Sequence, residues 1–182
     1  MTAKLIFGCG YLGRRVADRW LADGSAVHVL TRNEARAAAL RVDGFRPIVG
    51  DVTAAHSLDP IRDLTNIDTV LFAVGFDRQA GVPIHEVYVE GLRSVLEVLP
   101  DTVKRFIYIS STGVYGQSDG RWIDENSACI PTREGGKACL AAEQTLNASR
   151  FGNRAIVLRL AGIYGPDRVP RSAEVLNKES FP

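Results

Sequence analysis

The sequence lacks the features that mark membrane, metal-binding and secreted proteins. No apolar run approaches the roughly 20 residues of a membrane-spanning helix, and the opening MTAKLIFG leads into a strand pattern instead of a signal peptide. Its cysteines, Cys9, Cys129 and Cys139, are odd in number and lack metal-ligand spacing, and its three histidines are scattered. We therefore expect reduced thiols, a cytoplasmic location, no membrane contact and no metal site.

The sequence also lacks an excess of either charge. It has 22 Lys and Arg against 21 Asp and Glu, a formal net charge of +1, which argues against a nucleic-acid partner. With 182 residues, 46% hydrophobic and 24% charged, it has the size and composition of one soluble globular domain.

Short apolar runs alternate with amphipathic helical patterns along the chain. Helical crossovers between strands produce a parallel sheet with helices on both faces, so the pattern predicts a doubly wound α/β (Rossmann) fold. Its ligand crevice lies at the carboxyl ends of the strands. We predict this domain over residues 1–166 and a short tail over 167–182. The six predicted strands are 4–7, 26–30, 46–50, 68–75, 104–111 and 154–162.

A glycine motif, FGCGYLG, lies between the first strand and the first helix. Glycines at this spacing allow a tight turn and a close approach of backbone to a pyrophosphate at the helix N-terminus. The motif therefore favours dinucleotide binding over its alternative, tight strand–helix packing without a ligand. The residues predicted to contact the cofactor here are Gly8, Cys9, Gly10, Tyr11, Leu12 and Gly13.

The end of the second strand bears on which dinucleotide binds. An acidic residue there would bind the ribose 2′-hydroxyl of NAD, whereas an arginine accommodates the 2′-phosphate of NADP. The chain has Thr31-Arg32, so we predict NADP in preference to NAD, with Arg14 as a second candidate cation. The alternative is that both arginines are solvent-exposed charges.

Five stretches together carry a resemblance to a known family. They are GDVT at 50–53, LFAVG at 71–75, FIYISSTGVYG at 106–116, PTREGGKACLAAE at 131–143 and LRLAGIYGP at 158–166. In this order they resemble the extended and atypical short-chain dehydrogenase/reductases, the NAD(P)-dependent epimerase/dehydratase family. The resemblance implies a Rossmann fold, a nicotinamide dinucleotide and a nucleotide-sugar or related carbonyl substrate.

The resemblance also implies roles for single residues. Asp51 and Val52 would lie against the adenine, and Ala73, Val74 and Gly75 beside the adenosine ribose. Ser111 would hydrogen-bond the substrate, Lys137 would contact the nicotinamide ribose, and the turn 161–163 would pass near the nicotinamide. Taken singly, Asp51 can be a capping residue, Ser111 a turn residue and Lys137 a surface charge.

One departure from the family pattern affects function. Arg133 stands where the family's Tyr-x-x-x-Lys motif has its tyrosine, and arginine does not release a proton in proteins. Tyr115 and Glu134 are alternative proton-transferring groups, and Arg133 itself could bind an anionic ligand group. Two functions stay open: an oxidoreductase or epimerase with weak or unconventional catalysis, and a non-catalytic NADP-binding sensor or regulatory module.

The usual length of family members bears on whether this chain associates with a second copy. Members usually continue into a smaller carboxyl-terminal lobe that closes over the substrate, and this sequence includes at most the tail 167–182 of such a lobe. Exposed apolar surface favours self-association, so we predict a homodimer. The candidate apolar stripe is on the helical segment 84–99 and comprises Val87, Leu92, Val95, Leu96 and Leu99.

Overall fold

The computed structural model of the chain describes residues 2–169. One parallel sheet of six strands runs through it in the order β3-β2-β1-β4-β5-β6, which confirms the predicted doubly wound α/β fold. The strands are β1 Ala3–Phe7, β2 Ala26–Thr31, β3 Arg46–Val49, β4 Ile67–Phe72, β5 Arg105–Ser111 and β6 Ala155–Leu160. Of the predicted tail, residues 170–182 lie outside the described residues.

Helices connect the strands. The α-helices are α1 Tyr11–Ala22, α2 Glu34–Val42, α3 Gly91–Val98 and α4 Glu134–Ala148, and a π-helical turn, Glu86–Glu90, leads into α3. Asn33 caps α2 as its sequence position suggests, because its side chain accepts a hydrogen bond from the Arg36 N–H at 3.0 Å. A 3-10 helix at Ala55–Asp63 was not predicted, and it contains Pro60, which interrupts an α-helical pattern.

Apolar cores lie on both faces of the sheet. On one face, Leu5 and Phe7 of β1 pack with residues of α3, α4 and the 3-10 helix Ala55–Asp63. On the other face, Ile6 packs with residues of α1 and α2. Successive side chains of a strand point to opposite faces, so a strand buried on both faces has the continuous apolar sequence that β1 shows.

Four of the five side chains of the apolar stripe on the segment 84–99 belong to the core of this same chain, and the fifth, Val87, is half-buried. Leu92 and Val95 are fully buried, and Leu96 and Leu99 are 7% and 2% exposed. The sequence-based ground for a homodimer is therefore wrong, because these side chains contact the chain's own sheet. Within residues 2–169 no helix is long and apolar enough to cross a membrane.

The start of α4 packs closely against the segment that follows β5. A Cβ atom added at Gly136 would overlap the carbonyl oxygen of Gly113 and lie 2.9 Å from the Cβ of Pro131. A Cβ at the neighbouring Gly135 would meet only the Cδ1 of Ile84, at 3.7 Å. The two adjacent glycines thus differ in the space around them.

This difference predicts opposite effects of the same substitution. We expect Gly136→Ala to lower the free energy of unfolding by about 1–3 kcal/mol, because the helix must move away from Gly113. Gly135→Ala is the matched control and should be neutral or stabilising by up to ~1 kcal/mol, since alanine favours helix over glycine. Urea denaturation measures both, and equal stability of the two variants would contradict the tight packing.

Candidate functional site

A cleft of about 590 Å³ opens at the carboxyl ends of the strands. It lies where the doubly wound plan places a ligand, at the carboxyl ends of β1, β2, β3 and β4. Most of the residues predicted to bind the cofactor line it. These are Gly8, Cys9, Gly10, Thr31, Arg32, Asp51, Val52, Val74 and Gly75.

The glycine turn brings three backbone segments together at the base of the cleft. Gly8 has φ +91°, and a Cβ there would overlap the carbonyl of Ala73, in the loop after β4. A Cβ at Gly13 would overlap the carbonyl of Gly8, so this glycine lets α1 approach β1. Gly10 faces open space instead, and it leaves the N-terminus of α1 accessible from the cleft.

Four predicted cofactor residues, Tyr11, Leu12, Gly13 and Ala73, surround this turn but are not part of the cleft wall. Tyr11 contacts the segment after β6, because its hydroxyl donates to the carbonyl of Pro166 at 3.0 Å and its ring lies 5.2 Å from the Arg168 guanidinium. The stretch that follows β6 is thereby attached to the first residue of α1.

The arginines near the end of β2 differ in position. Arg32 lines the cleft as predicted, and so does Arg36, whose guanidinium donates to the carbonyl of Cys9. Arg14 does not line it: its guanidinium pairs with Asp18 and Asp43, both at 2.8 Å. The second cation of the cleft is therefore Arg36. Sequence reasoning missed it, although its place in the first turn of α2, just beyond the end of β2, was a usable signal.

Asp51 and Val52 form the wall that follows β3. The Oδ1 atom of Asp51 accepts hydrogen bonds from the N–H and the hydroxyl of Thr53, both at 2.9 Å. Val52 is 5% exposed and packs so closely against Gly91 that a Cβ there would lie 2.9 Å from its Cγ2. Asp51 thus stabilises a turn while lining the cleft, and Val52 is a fixed apolar surface.

The residues predicted at the catalytic end make mostly local contacts. The hydroxyl oxygen of Ser111 accepts from the Gly113 N–H at 3.0 Å and caps the short helix Thr112–Val114. Lys137 is exposed, and its Nζ pairs with Glu134 at 2.8 Å. Arg133 is exposed and precedes the first residue of α4, with its carbonyl accepting the Lys137 N–H at 3.0 Å. The catalytic roles of these side chains stay predictions.

Tyr115 belongs to a partly buried polar network. Its hydroxyl oxygen accepts from Arg159 at 2.8 Å. Arg159 also makes a two-pronged pair with Glu143, at 3.1 Å and 2.7 Å, and Glu143 accepts from the Ser110 hydroxyl at 2.5 Å. Glu143 is 3% exposed, and its hydrogen bonds raise the pKa of Arg159 above its ordinary value.

The sequence pattern that defines the NAD dependent epimerase/dehydratase family matches residues 5–178. The chain belongs to this family. It is 30% identical over 189 residues to the UDP-glucose 4-epimerase of Halalkalibacterium halodurans, covering 99% of this chain and 56% of that enzyme.

Two solved structures are similar to this chain and share its fold. One, from Methylobacillus flagellatus and assigned as an NAD-dependent epimerase/dehydratase, has a TM-score of 0.78 and 32% identity over 100% of this chain and 62% of that one. The Bordetella bronchiseptica enzyme WbmG, solved with NAD and UDP, has a TM-score of 0.75 and 25% identity over 89% of this chain and 54% of its own. The chain thus spans little more than half the length of these relatives.

Metal-ligating side chains and cysteine thiols are the other candidate groups within residues 2–169. Within residues 2–169 no group of three or more His, Cys, Asp or Glu side chains is placed to hold a metal ion. Burial raises the pKa values of the Cys9 and Cys139 thiols, which favours their neutral form.

Sequence reasoning also missed Glu143 and Arg159. A usable signal for Glu143 was its position on the apolar face of α4, since Cys139, Ala142 and Leu146 on that face are buried. A buried carboxylate there requires a cationic or hydrogen-bonding partner.

The buried pair predicts a large effect of removing one partner. We expect Arg159→Met to lower the free energy of unfolding by about 3–5 kcal/mol, because Glu143 is left buried without its counter-charge. Arg19→Met, which breaks the exposed pair with Asp23, is the control and should cost less than about 1 kcal/mol. Urea denaturation of both variants tests this.

A double variant checks the cause of the loss. Replacing both partners, as Glu143→Leu with Arg159→Met, should recover much of the stability because no buried charge remains. A cost of Arg159→Met no larger than that of the Arg19 control would contradict the structural role of the pair.

Proposed function

We propose that this chain binds NADP in the cleft and serves an epimerase/dehydratase-type oxidoreductase that acts on a nucleotide sugar or a related carbonyl compound. The observation that carries the proposal is the pair of cations at the end of β2. Arg32 and Arg36 both line the cleft, at the place where an acidic residue would select NAD. WbmG was solved with NAD, so the preference for NADP rests on this chain's own arginines.

The residues present fit a dinucleotide. The N-terminus of α1 supplies backbone N–H groups and a positive dipole for a pyrophosphate, and the open space beside Gly10 lets the phosphates come close. Val52 offers an apolar surface to the adenine, and the loop from Val74 to Gly75 is beside the adenosine ribose. In this arrangement Arg32 binds the 2′-phosphate through charge-assisted hydrogen bonds.

Bound NADP would supply hydride transfer at its nicotinamide, and the chain must supply the proton transfer. Arginine does not release its proton in proteins, so residue 133 does not supply the general acid or base that the family's tyrosine provides. Arg133 can instead stabilise negative charge on a substrate. Tyr115 follows Ser111 by four residues, and Arg159 donates a hydrogen bond to its hydroxyl oxygen, which holds that hydroxyl in place.

The substrate class is taken from the relatives. The Halalkalibacterium enzyme is a UDP-glucose 4-epimerase, and WbmG was solved with UDP. A nucleotide sugar is therefore the class that we propose for the whole protein. We assign cofactor binding to the Rossmann domain, residues 1–166. The tail, residues 167–182, is assigned to the substrate-binding lobe.

A second function is favoured by Arg133 and by the contact of Lys137 with Glu134. A chain that binds NADP without a proton-transferring residue can act as a sensor or a regulatory module. Both functions share the cofactor site, so binding alone does not separate them. Turnover does.

We also retain the homodimer and the cytoplasmic location as predictions. Because Leu92, Val95, Leu96 and Leu99 are buried in the chain's own core, the stripe on the segment 84–99 does not support the homodimer. Light scattering at micromolar concentration should give twice the chain mass, and a monomeric mass would contradict the dimer. Fractionation of the source cells tests the location.

The cofactor assignment predicts a selective loss in one variant. We expect Arg32→Gln to weaken NADP binding about tenfold or more, since a charge-assisted phosphate contact is lost, and to leave NAD within about twofold. Arg14→Gln is the matched control and should change neither affinity, because Arg14 pairs with Asp18 and Asp43. Calorimetric titration measures all four affinities, and NAD binding as tight as NADP would refute the assignment.

The catalytic proposal predicts a gain of activity. We expect Arg133→Tyr to raise the rate of NADP reduction by UDP-glucose at least about tenfold, because general acid–base catalysis contributes about 10²–10⁴-fold. Arg133→Phe adds the ring without the hydroxyl and should give no gain. Nicotinamide absorbance follows the reaction. No gain in a variant that binds NADP would favour the sensor or regulatory module.

A further inference from the structure

One ion pair crosses the mouth of the cleft. Arg32 follows β2 and Asp77 lies in the loop after β4, and these two strands flank β1 in the sheet. Their side chains meet with the Arg32 Nη2 3.7 Å from the Asp77 Oδ2, and both residues line the cleft. The pair therefore bridges the strand ends on either side of β1, within the cleft proposed to hold the 2′-phosphate of NADP.

The position of the Asp77 carboxylate is set by its own loop. Its Oδ1 accepts from the Gln79 N–H at 3.0 Å, and its backbone carbonyl accepts from the Ala80 N–H at 3.2 Å. This turn leaves Oδ2 directed at Arg32. Because the turn does not depend on Arg32, the carboxylate stays near the cleft when the arginine moves.

The other charged groups of the cleft are engaged elsewhere. Arg36 donates to the carbonyl of Cys9, and Asp51 accepts two hydrogen bonds from Thr53. Asp77 is thus the carboxylate in the cleft that faces the cation we assign to the 2′-phosphate. A phosphate that binds Arg32 must compete with this carboxylate for the guanidinium and lie close to its negative charge.

We propose that Asp77 is a specificity-determining residue, an internal anion that competes with the 2′-phosphate for Arg32 and weakens the preference for NADP over NAD. The inference rests on the proposed NADP function. NAD has a hydroxyl in place of the 2′-phosphate and leaves the ion pair intact, so only NADP binding has to break it.

Asp77→Asn in the 182-residue chain tests the competition. Asparagine keeps the oxygen that accepts from Gln79 and removes the charge. We expect NADP to bind about two- to fivefold more tightly, the range that exposed ion pairs supply, with NAD unchanged. Asp119→Asn is the matched control: Asp119 is also a loop aspartate that accepts from a backbone N–H two residues on and pairs with an arginine, Arg121, but it does not line the cleft.

The Arg32→Gln variant separates two effects of Asp77: competition with the 2′-phosphate for Arg32, and direct repulsion between the Asp77 carboxylate and the phosphate. There the gain from Asp77→Asn should be smaller, because no ion pair has to be broken, and calorimetric titration with NADP and NAD measures it. Equal gains in both backgrounds, equal gains for both dinucleotides, or a change confined to weaker NAD binding would each overturn the proposal.

The unaltered chain distinguishes this failure from failure of the proposed function. If it binds neither dinucleotide, or binds NAD as tightly as NADP, the NADP assignment itself is wrong. If it prefers NADP and Asp77→Asn leaves the ratio of the two affinities unchanged, only the competition is wrong.

Discussion

The close contact of backbone with backbone at the glycine turn sets how β1, α1 and the loop after β4 are placed around the cleft. Gly8 lies against the carbonyl of Ala73, and Gly13 lies against the carbonyl of Gly8, so β1, α1 and the loop after β4 meet without intervening side chains. A Cβ at either glycine would separate these elements. Their close approach fixes the N-terminus of α1 relative to the strand ends, and through it the distance from that N-terminus to Arg32 and Val52.

The two halves of the site differ in how their side chains are used. In the adenosine half, Arg32, Arg36 and Val52 face the cleft and define its charge and its apolar wall. In the catalytic half, Ser111 caps a helical turn and Lys137 pairs with Glu134. The first arrangement leaves these side chains facing the cleft, so a ligand could contact them without rearrangement of the chain. The second arrangement commits Ser111 and Lys137 to contacts within their own segments.

The sequence predicted the fold and much of the cleft wall because both depend on local patterns. Buried strands appear as apolar runs, and the glycine motif follows from the geometry of one turn. Contacts between distant segments could not be predicted in the same way. Arg14 and Arg36 are both near the glycine turn, but Arg14 pairs with Asp18 and Asp43 and does not line the cleft, whereas Arg36 does. The stripe on 84–99 had the pattern of an amphipathic helix, which does not say whether its apolar face meets its own sheet or a second chain.

The pair of Glu143 and Arg159 has a consequence for how this catalytic helix can change. It joins the middle of α4 to β6, and Ser110 joins it to β5, so the helix is held to the sheet at a point well away from its first turn. Residue 133 precedes that first turn, is exposed and contributes its carbonyl to the helix, a backbone group that every residue possesses. The scaffold therefore places little demand on the side chain at this position. The side chain at position 133 can therefore be exchanged without a change in the fold. A shared fold alone does not show whether a protein is catalytically active.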